Sequence, residues 1–406
     1  MIPLELAEIE AIFEGRVEAA PWAEQITGVE IDSRRVSEGD LFVAIGGGVD
    51  FVKHAFARGA AAVAVPEDAF AAMGALGRTV RQRSNARVVG ITGSTGKTST
   101  KDILAALCTS SARTVAAEAS FNNEIGVPLT LCRLEPDTEV CILELAMRGF
   151  GQIADLCEIA RPELGIVTNV GPAHLELVDS VEGVIRAKSE LIAALPSGGT
   201  AILPAEFPVE REDIHVVRLT EPGATIEDGR TVVGGVKFNF TARHQAVNAA
   251  AALAALDALG LARPDSVEVD FSRWRGEERD LPGGGLLIND AYNANPISMR
   301  AALEHLVECA AGRPTVAVLG DMAELGPTGP EYHGEIGRLA GELGIDRVIA
   351  VGELAEGYGG IAHTRSAEEA ARIVAELVRP GDCVLVKGSR AVGLELVAEA
   401  LTAVKA

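Results

Sequence analysis

No uninterrupted apolar stretch of about 18 residues occurs in the chain, so a transmembrane helix is not expected. The first residues lack a basic segment and carry Glu5, Glu8 and Glu10 instead, which argues against a secretory signal and leaves the cytosol as the expected location. Positive charge is scarce. The 36 lysines and arginines are outnumbered by 58 aspartates and glutamates, giving a net charge of −22. A surface of that sign argues against a general nucleic-acid binder or a membrane-surface protein. It leaves room for an anionic nucleotide, because phosphate sites are built locally from backbone N–H groups and a few cations. None of the six cysteines (108, 132, 141, 157, 309 and 383) forms a C-x-x-C or sits at zinc-ligand spacing, so reduced thiols in or near cores are expected. Neither an internal repeat nor a low-complexity segment is found beyond Ala-rich helices.

What is present is a 406-residue chain, 48% hydrophobic, enough for two to four domains at roughly 100–200 residues each. Residues 1–85 read as a small α/β unit, with strand-like segments at 40–45 and 61–65 and a helix near 54–59. Residues 86–270 begin with the β-branched run Arg87–Thr92. A Gly-rich loop and a helix over 98–108 follow, then strands at 140–145 and 164–170 and helices at 153–159 and 181–194. Alternation of this kind implies a mostly parallel sheet covered on both faces. The stretch 205–240 is less regular, and 242–260 is an Ala-rich helix. Residues 271–406 repeat the pattern as a doubly wound, Rossmann-like unit: strands at 286–288, 315–319, 347–351 and 382–386, helices at 296–308, 331–343, 366–378 and 391–403. The fold class is therefore α/β, in three domains.

The sharpest local signal is Thr92-Gly93-Ser94-Thr95-Gly96-Lys97-Thr98-Ser99, between a buried strand and a helix. Glycines let the backbone curl around a phosphate, and the helix N-terminus adds its positive end. Lys97 is placed to reach β/γ-phosphates and the Thr98 hydroxyl to meet Mg²⁺. The common P-loop pattern has a glycine five positions before Gly96, where this chain has Ile91. The loop alone says only that a nucleoside triphosphate binds; an ordinary strand-to-helix turn is the bland alternative.

Further polar residues fall near the ends of expected strands, where open α/β sheets bind ligands. They are Glu144, Asn169 and His174, then Asp290 and Asn293; Lys188 lies on a following helix. Glu144 ends an apolar run, and a buried carboxylate calls for a cation or donors. Taken singly, a loop histidine or a helix lysine is ordinary surface.

Together these residues resemble the Mur ligase family of ATP-dependent amide-forming enzymes. The resemblance runs through Thr92-Gly93, Gly96-Lys97-Thr98, Glu144, Asn169 to His174-Leu175-Glu176, Ala187-Lys188, and His244 with Asn248. Three more stretches are similar to the branch of the family that adds D-alanyl-D-alanine: Asn122–Pro128, Asn289–Pro296 and Leu319–Gly326. Lys387–Arg390 and Asp32–Arg34 agree. The resemblance implies a first domain for a UDP-sugar, a second for ATP and a third that closes on both. It implies ATP bound by Gly93, Ser94, Thr95, Gly96, Lys97, Thr98 and Ser99, with Asn123 and Asn248 near adenine, Arg275 on phosphate and Asp290 on ribose. It implies Mg²⁺ held by Thr98, Glu144, His174 and a carbamylated Lys188, with Lys97, His174, Lys188 and Arg275 serving catalysis. Asp32, Ser33, Arg34, Asn293 and Asn295 are expected to meet substrate. The implied partners are UDP-N-acetylmuramoyl-tripeptide and D-alanyl-D-alanine, acted on by a monomer. Where the family more often has His-Asn-x-x-Asn and Gly-Glu-Ile, this chain has Gln245 and Gln152. Another amide ligase of the superfamily, a P-loop kinase or NTPase, and a non-catalytic nucleotide binder are the competing readings.

Overall fold

The computed structural model describes residues 1–173, 175–281 and 283–403. Three α/β layers follow one another along the chain. The first sheet is short, in the order Gly15–Ala19, Ala62–Pro66, Asp40–Val43, Gly28–Glu30, with only the Gly15–Ala19 pairing antiparallel. The expected helix at 54–59 is displaced: a 3₁₀ turn over Gly46–Phe51 runs directly into a helix over Val52–Ala57. Gly46 has φ +55°, so the three glycines form the turn and no longer merely end a strand.

The central sheet has six strands, all parallel, in the order His215–Leu219, Thr200–Pro204, Leu164–Val167, Arg87–Thr92, Val140–Glu144, Thr114–Ala116. Its strands read as continuous apolar runs because helices cover both faces. On one face the helix Lys97–Thr109 packs against the Ala-rich helix Arg243–Ala258. Alanine on most sides lets that second helix lie close to several neighbours, and it touches the strands Leu164–Val167 and Thr200–Pro204 as well. On the other face Gln152–Ala160 and Val181–Ala193 cover the sheet. There Gln152–Ala160 meets Ala69–Arg83, a helix without a clear sequence pattern, capped by the Asp68 carboxylate, which accepts from Phe70 N and Ala71 N. The irregular stretch near 205–240 contributes to a small four-stranded sheet, Thr225–Glu227, Arg230–Val233, Val236–Phe238 and Ser266–Val267.

The third sheet runs Glu277–Leu281, Gly285–Asp290, Cys383–Lys387, Thr315–Gly320, Arg347–Val351, Ala362–Thr364. Only the Glu277–Leu281 edge is antiparallel. The last expected helix starts late. Arg390–Val392 is a 3₁₀ turn, Gly393 takes φ +76°, and the α-helix spans Glu395–Ala403. Among the described residues no helix is long and apolar enough to cross a membrane.

Leu104 lies fully buried in the core between the central sheet and the Ala-rich helix. Leu104→Ala removes that filling beneath the loop helix and is expected to cost about 2–5 kcal/mol, read as a lower urea midpoint by circular dichroism. An unchanged midpoint would mean that the two helices do not form this core.

Candidate functional site

The strand Arg87–Thr92 sits inside the central sheet, and its carboxyl end opens into the Gly-rich loop. Two glycines there have no substitute. Gly93 has φ +150°, and a Cβ on it would lie 1.8 Å from Thr168 Oγ1. Gly96 has φ +77° at the N-cap of the helix, and a Cβ would lie 2.5 Å from Asn248 Oδ1. The loop is held from the neighbouring strand end. Thr95 N donates to Asn169 Oδ1 (2.9 Å), Asn169 Nδ2 donates to Thr95 Oγ1 (2.6 Å), and Ser94 Oγ donates to Gly171 O (3.0 Å). Lys97 Nζ folds back to donate to Gly93 O at 2.8 Å. The result is a rigid turn at a helix N-terminus, suited to an anion.

Below the loop, Glu144 ends the strand Val140–Glu144 with 1% of its surface exposed. Its carboxylate accepts from Thr98 Oγ1 (2.8 Å) and from Asn122 Nδ2 (2.8 Å). Two amines share this region. Lys188, 2% exposed, is drawn well below the ordinary lysine value by burial and then by repulsion from Lys97. Lys97 keeps some solvent contact in the cleft, yet surrounding protein lowers its pKa too, opposed by Glu144. A carboxylate and a hydroxyl oxygen, buried beside a phosphate-type loop, form the hard oxygen set that a magnesium ion takes. The residues present therefore fit such an ion.

The opposite wall comes from the third unit. Arg275 lies over the Tyr292 ring (4.0 Å to its centroid) and donates to Ser120 Oγ at 3.2 Å, while its Nε is buried without a partner. Asp290 pairs with the buried Lys387 (2.5 Å), which also donates to Asn293 O (2.9 Å). Asn295 caps the helix Pro296–Ala310 by accepting from Ser298 N, and its Nδ2 donates to Ser94 O of the phosphate loop at 3.2 Å. Further along, Asn248 Nδ2 donates to Gln245 Oε1 (2.9 Å), and Asn123 Oδ1 accepts from Gly126 N (2.9 Å). His244 has its pKa pushed down to about 4 by burial, so its ring is neutral near pH 7.

These groups enclose a cleft of about 810 Å³. Ser94, Thr95, Gly96, Lys97, Thr98, Ser99, Asn123, Glu144, Asn248, Arg275, Asp290, Asn293 and Asn295 all line it. Gly93 lies just behind, bonded to Lys97, and Lys188 is buried close enough for Lys97 to repel it. Asp32, Ser33 and Arg34 do not line the cleft. Arg34 pairs with Asp32 and holds its carboxyl down at about 2, and Ser33 Oγ lies 3.0 Å from His54 Nδ1. His174 lies outside the described residues. Two roles had not been assigned from the sequence: Asn122 as a donor to Glu144, and Lys387 as the counter-charge of Asp290. Lys387 was findable as a lysine ending a buried strand; Asn122 carries no local signal. Gln152 keeps an acceptor where glutamate is commoner, taking Arg148 N at 2.6 Å. A second cavity, about 760 Å³, contains none of the predicted residues, and its Lys101 is already paired with Asp102 at 2.8 Å.

Two family profiles match the chain: the Mur ligase middle domain over residues 91–256, and the Mur ligase glutamate ligase domain over 274–390. A Synechocystis protein described as UDP-N-acetylmuramoyl-tripeptide–D-alanyl-D-alanine ligase is 33% identical, over 93% of this chain and 92% of its own. The solved structure of MurF from Acinetobacter baumannii superposes with a TM-score of 0.83 at 28% identity, covering 98% of this chain and 99% of that one. MurF ligase from Thermotoga maritima, solved with ADP, gives 0.78 at 29% identity, covering 92% and 97%.

The geometry at Gly96 generates a prediction. Gly96→Ala adds about 1–2 kcal/mol of left-handed backbone strain and a clash with Asn248. Nucleotide affinity is expected to fall at least about tenfold by calorimetry. Adding Asn248→Ala removes the clash but not the strain, so full recovery in the double variant would contradict the backbone argument.

Proposed function

Because this chain belongs to the Mur ligase family, we propose that it joins D-alanyl-D-alanine to UDP-N-acetylmuramoyl-tripeptide with ATP, a step in making peptidoglycan precursor. The observation that carries the reading is convergence: the phosphate loop, the Thr98–Glu144 pair and the Arg275–Asp290 wall, from two different units, face one cleft.

A carboxylate is a poor acyl donor because oxide is a bad leaving group. An oxygen of the peptide's terminal carboxylate attacks the γ-phosphorus of ATP, and the bond to the β-phosphate oxygen breaks, leaving ADP and an acyl phosphate. The free amine of D-alanyl-D-alanine then attacks the acyl carbon. The tetrahedral intermediate expels inorganic phosphate, and the nitrogen gives up a proton. Lys97 and the N–H groups left without helical partners at the start of the helix Lys97–Thr109 would lower the repulsion between two anionic reactants. Thr98, Glu144, His174 and a carbamylated Lys188 would hold magnesium ions, which when bound add positive charge at the γ-phosphate and the incoming carboxylate. Arg275 approaches the phosphates from the third unit, and Asn295 joins that unit to the loop, which helps keep water from the acyl phosphate. Asp32, Ser33 and Arg34 would meet the UDP end on the first unit.

The buried state of Lys188 favours its modification. A lysine held neutral presents a nucleophilic nitrogen, which adds to the carbon of CO₂; the nitrogen then loses a proton and an anionic carbamate remains. The carbamate puts an anionic oxygen ligand where a neutral amine stood.

Two outcomes are expected. Phosphate release with UDP-tripeptide and ATP should depend on D-alanyl-D-alanine, with Lys97→Ala as a folded blank. Dependence on a single amino acid would indicate another amide ligase, and release without any amine an NTPase. Lys188→Ala should lose at least about a hundredfold in turnover and regain part of it with added acetate, a free carboxylate filling the missing oxygen. Near wild-type turnover without acetate would remove Lys188 from the site.

A further inference from the structure

We propose that Glu278, His305 and Cys309 form a binding site for a borderline-soft divalent transition metal, zinc by preference, on the edge of the third unit away from the phosphate loop. His305 and Cys309 are four residues apart on the helix Pro296–Ala310 and therefore share a face. Glu278 comes from the antiparallel edge strand Glu277–Leu281. One potential ligand atom from each lies within 4.8 Å of the other two. His305 Nε2 is the common vertex, 2.9 Å from Glu278 Oε1 and 3.4 Å from Cys309 Sγ. Tetrahedral zinc with bonds of about 2.0–2.3 Å separates neighbouring ligand atoms by roughly 3.3–3.6 Å. The Nε2–Oε1 pair has to open by fractions of an ångström, whereas Cys309 Sγ, also 3.6 Å from Nδ1, rests against the ring and has to turn about its χ1 toward Nε2.

The surroundings suit such an ion. The His305 ring is 5% exposed and held in place, whereas the Glu278 side chain is 41% exposed and Cys309 is half-buried. One side of the cluster is open to solvent, which gives an ion a way in and leaves a position for water as fourth ligand. The nitrogen, sulfur and oxygen donors suit zinc and are wrong for magnesium, which takes octahedral oxygen. The cluster is thus chemically distinct from the Thr98–Glu144 pair. The other five cysteines are buried; Cys383 lies near enough to feel the charges of Cys309 and Glu278, and among the described residues no second group of this kind occurs. Spacing along the chain hides the site, because Glu278 is 27 residues before His305. Bound metal would tie the edge strand to the helix whose first turn lines the cleft, beside His244, whose ring stands edge-on to His305 at 6.0 Å.

Metal-free full-length protein titrated with Co²⁺ tests the proposal. One equivalent is expected to produce a thiolate-to-cobalt charge-transfer band in the near ultraviolet, displaced by Zn²⁺. Cys309→Ser should abolish the band. Glu278→Ala, on the exposed edge where the fold tolerates change, should weaken Co²⁺ binding at least about tenfold. No band in the wild type, a band that survives Cys309→Ser, or unchanged affinity in Glu278→Ala would overturn the site and leave a hydrogen-bonded triad centred on imidazole.

Discussion

The floor of the cleft buries two amines beside one carboxylate, and the rest of the site is arranged around them. Lys97 and Lys188 both approach a region whose buried carboxylate is Glu144, and each amine is pushed toward its neutral form by burial. Placing amines in such surroundings is unfavourable unless anions arrive to compensate. A triphosphate at the loop would supply several negative charges, and the carbamate proposed on Lys188 would put an anion where a neutral amine stands. In this view the depressed lysines are a preorganised deficit that ligand binding fills.

The same constraint explains why the backbone of the loop is so heavily fixed. A phosphate is held by N–H groups only if they point inward before it arrives, since reorganising them would consume binding energy. Gly93 and Gly96 provide conformations that side-chain-bearing residues avoid, and Thr168, Asn169 and Gly171 of the adjacent strand end hold the loop in place. The parallel sheet puts both strand ends at the same edge, so one layer of backbone geometry delivers the loop, its supports and Glu144 together.

Much of this was legible in local pattern. Long helices with regular apolar spacing and buried β-branched strands emerge near their expected limits, for instance 181–194 against Val181–Ala193 and 347–351 against Arg347–Val351. What escaped depends on partners distant in sequence. The edge strand Glu277–Leu281 is a charged run that becomes a strand only by pairing with Gly285–Asp290. The helix Ala69–Arg83 is stabilised by helices of the central unit that come some 50 to 90 residues later. In the site, Glu144 announced itself as a carboxylate inside an apolar run. Asn122 did not, because its role is defined by a contact across 22 residues, and Lys387, though it ends a buried strand, meets its counter-charge 97 residues away.

Contacts between units also show how the two ends of a bound nucleotide can be coupled. Asn248, held by Gln245, abuts the α-carbon of Gly96, so the residue expected beside adenine also limits the shape of the phosphate loop. From the other side Asn295 donates to Ser94 O, two residues before Gly96, while its own carboxamide oxygen caps the helix that carries His305. A shift of that helix away from the central unit would break the Asn295–Ser94 bond. The loop is therefore held in its phosphate-binding form by the central helix and by the third unit at once. The position of the third unit and the shape of the loop are thereby linked through one contact, so a ligand that prefers one arrangement of either would favour the matching arrangement of the other.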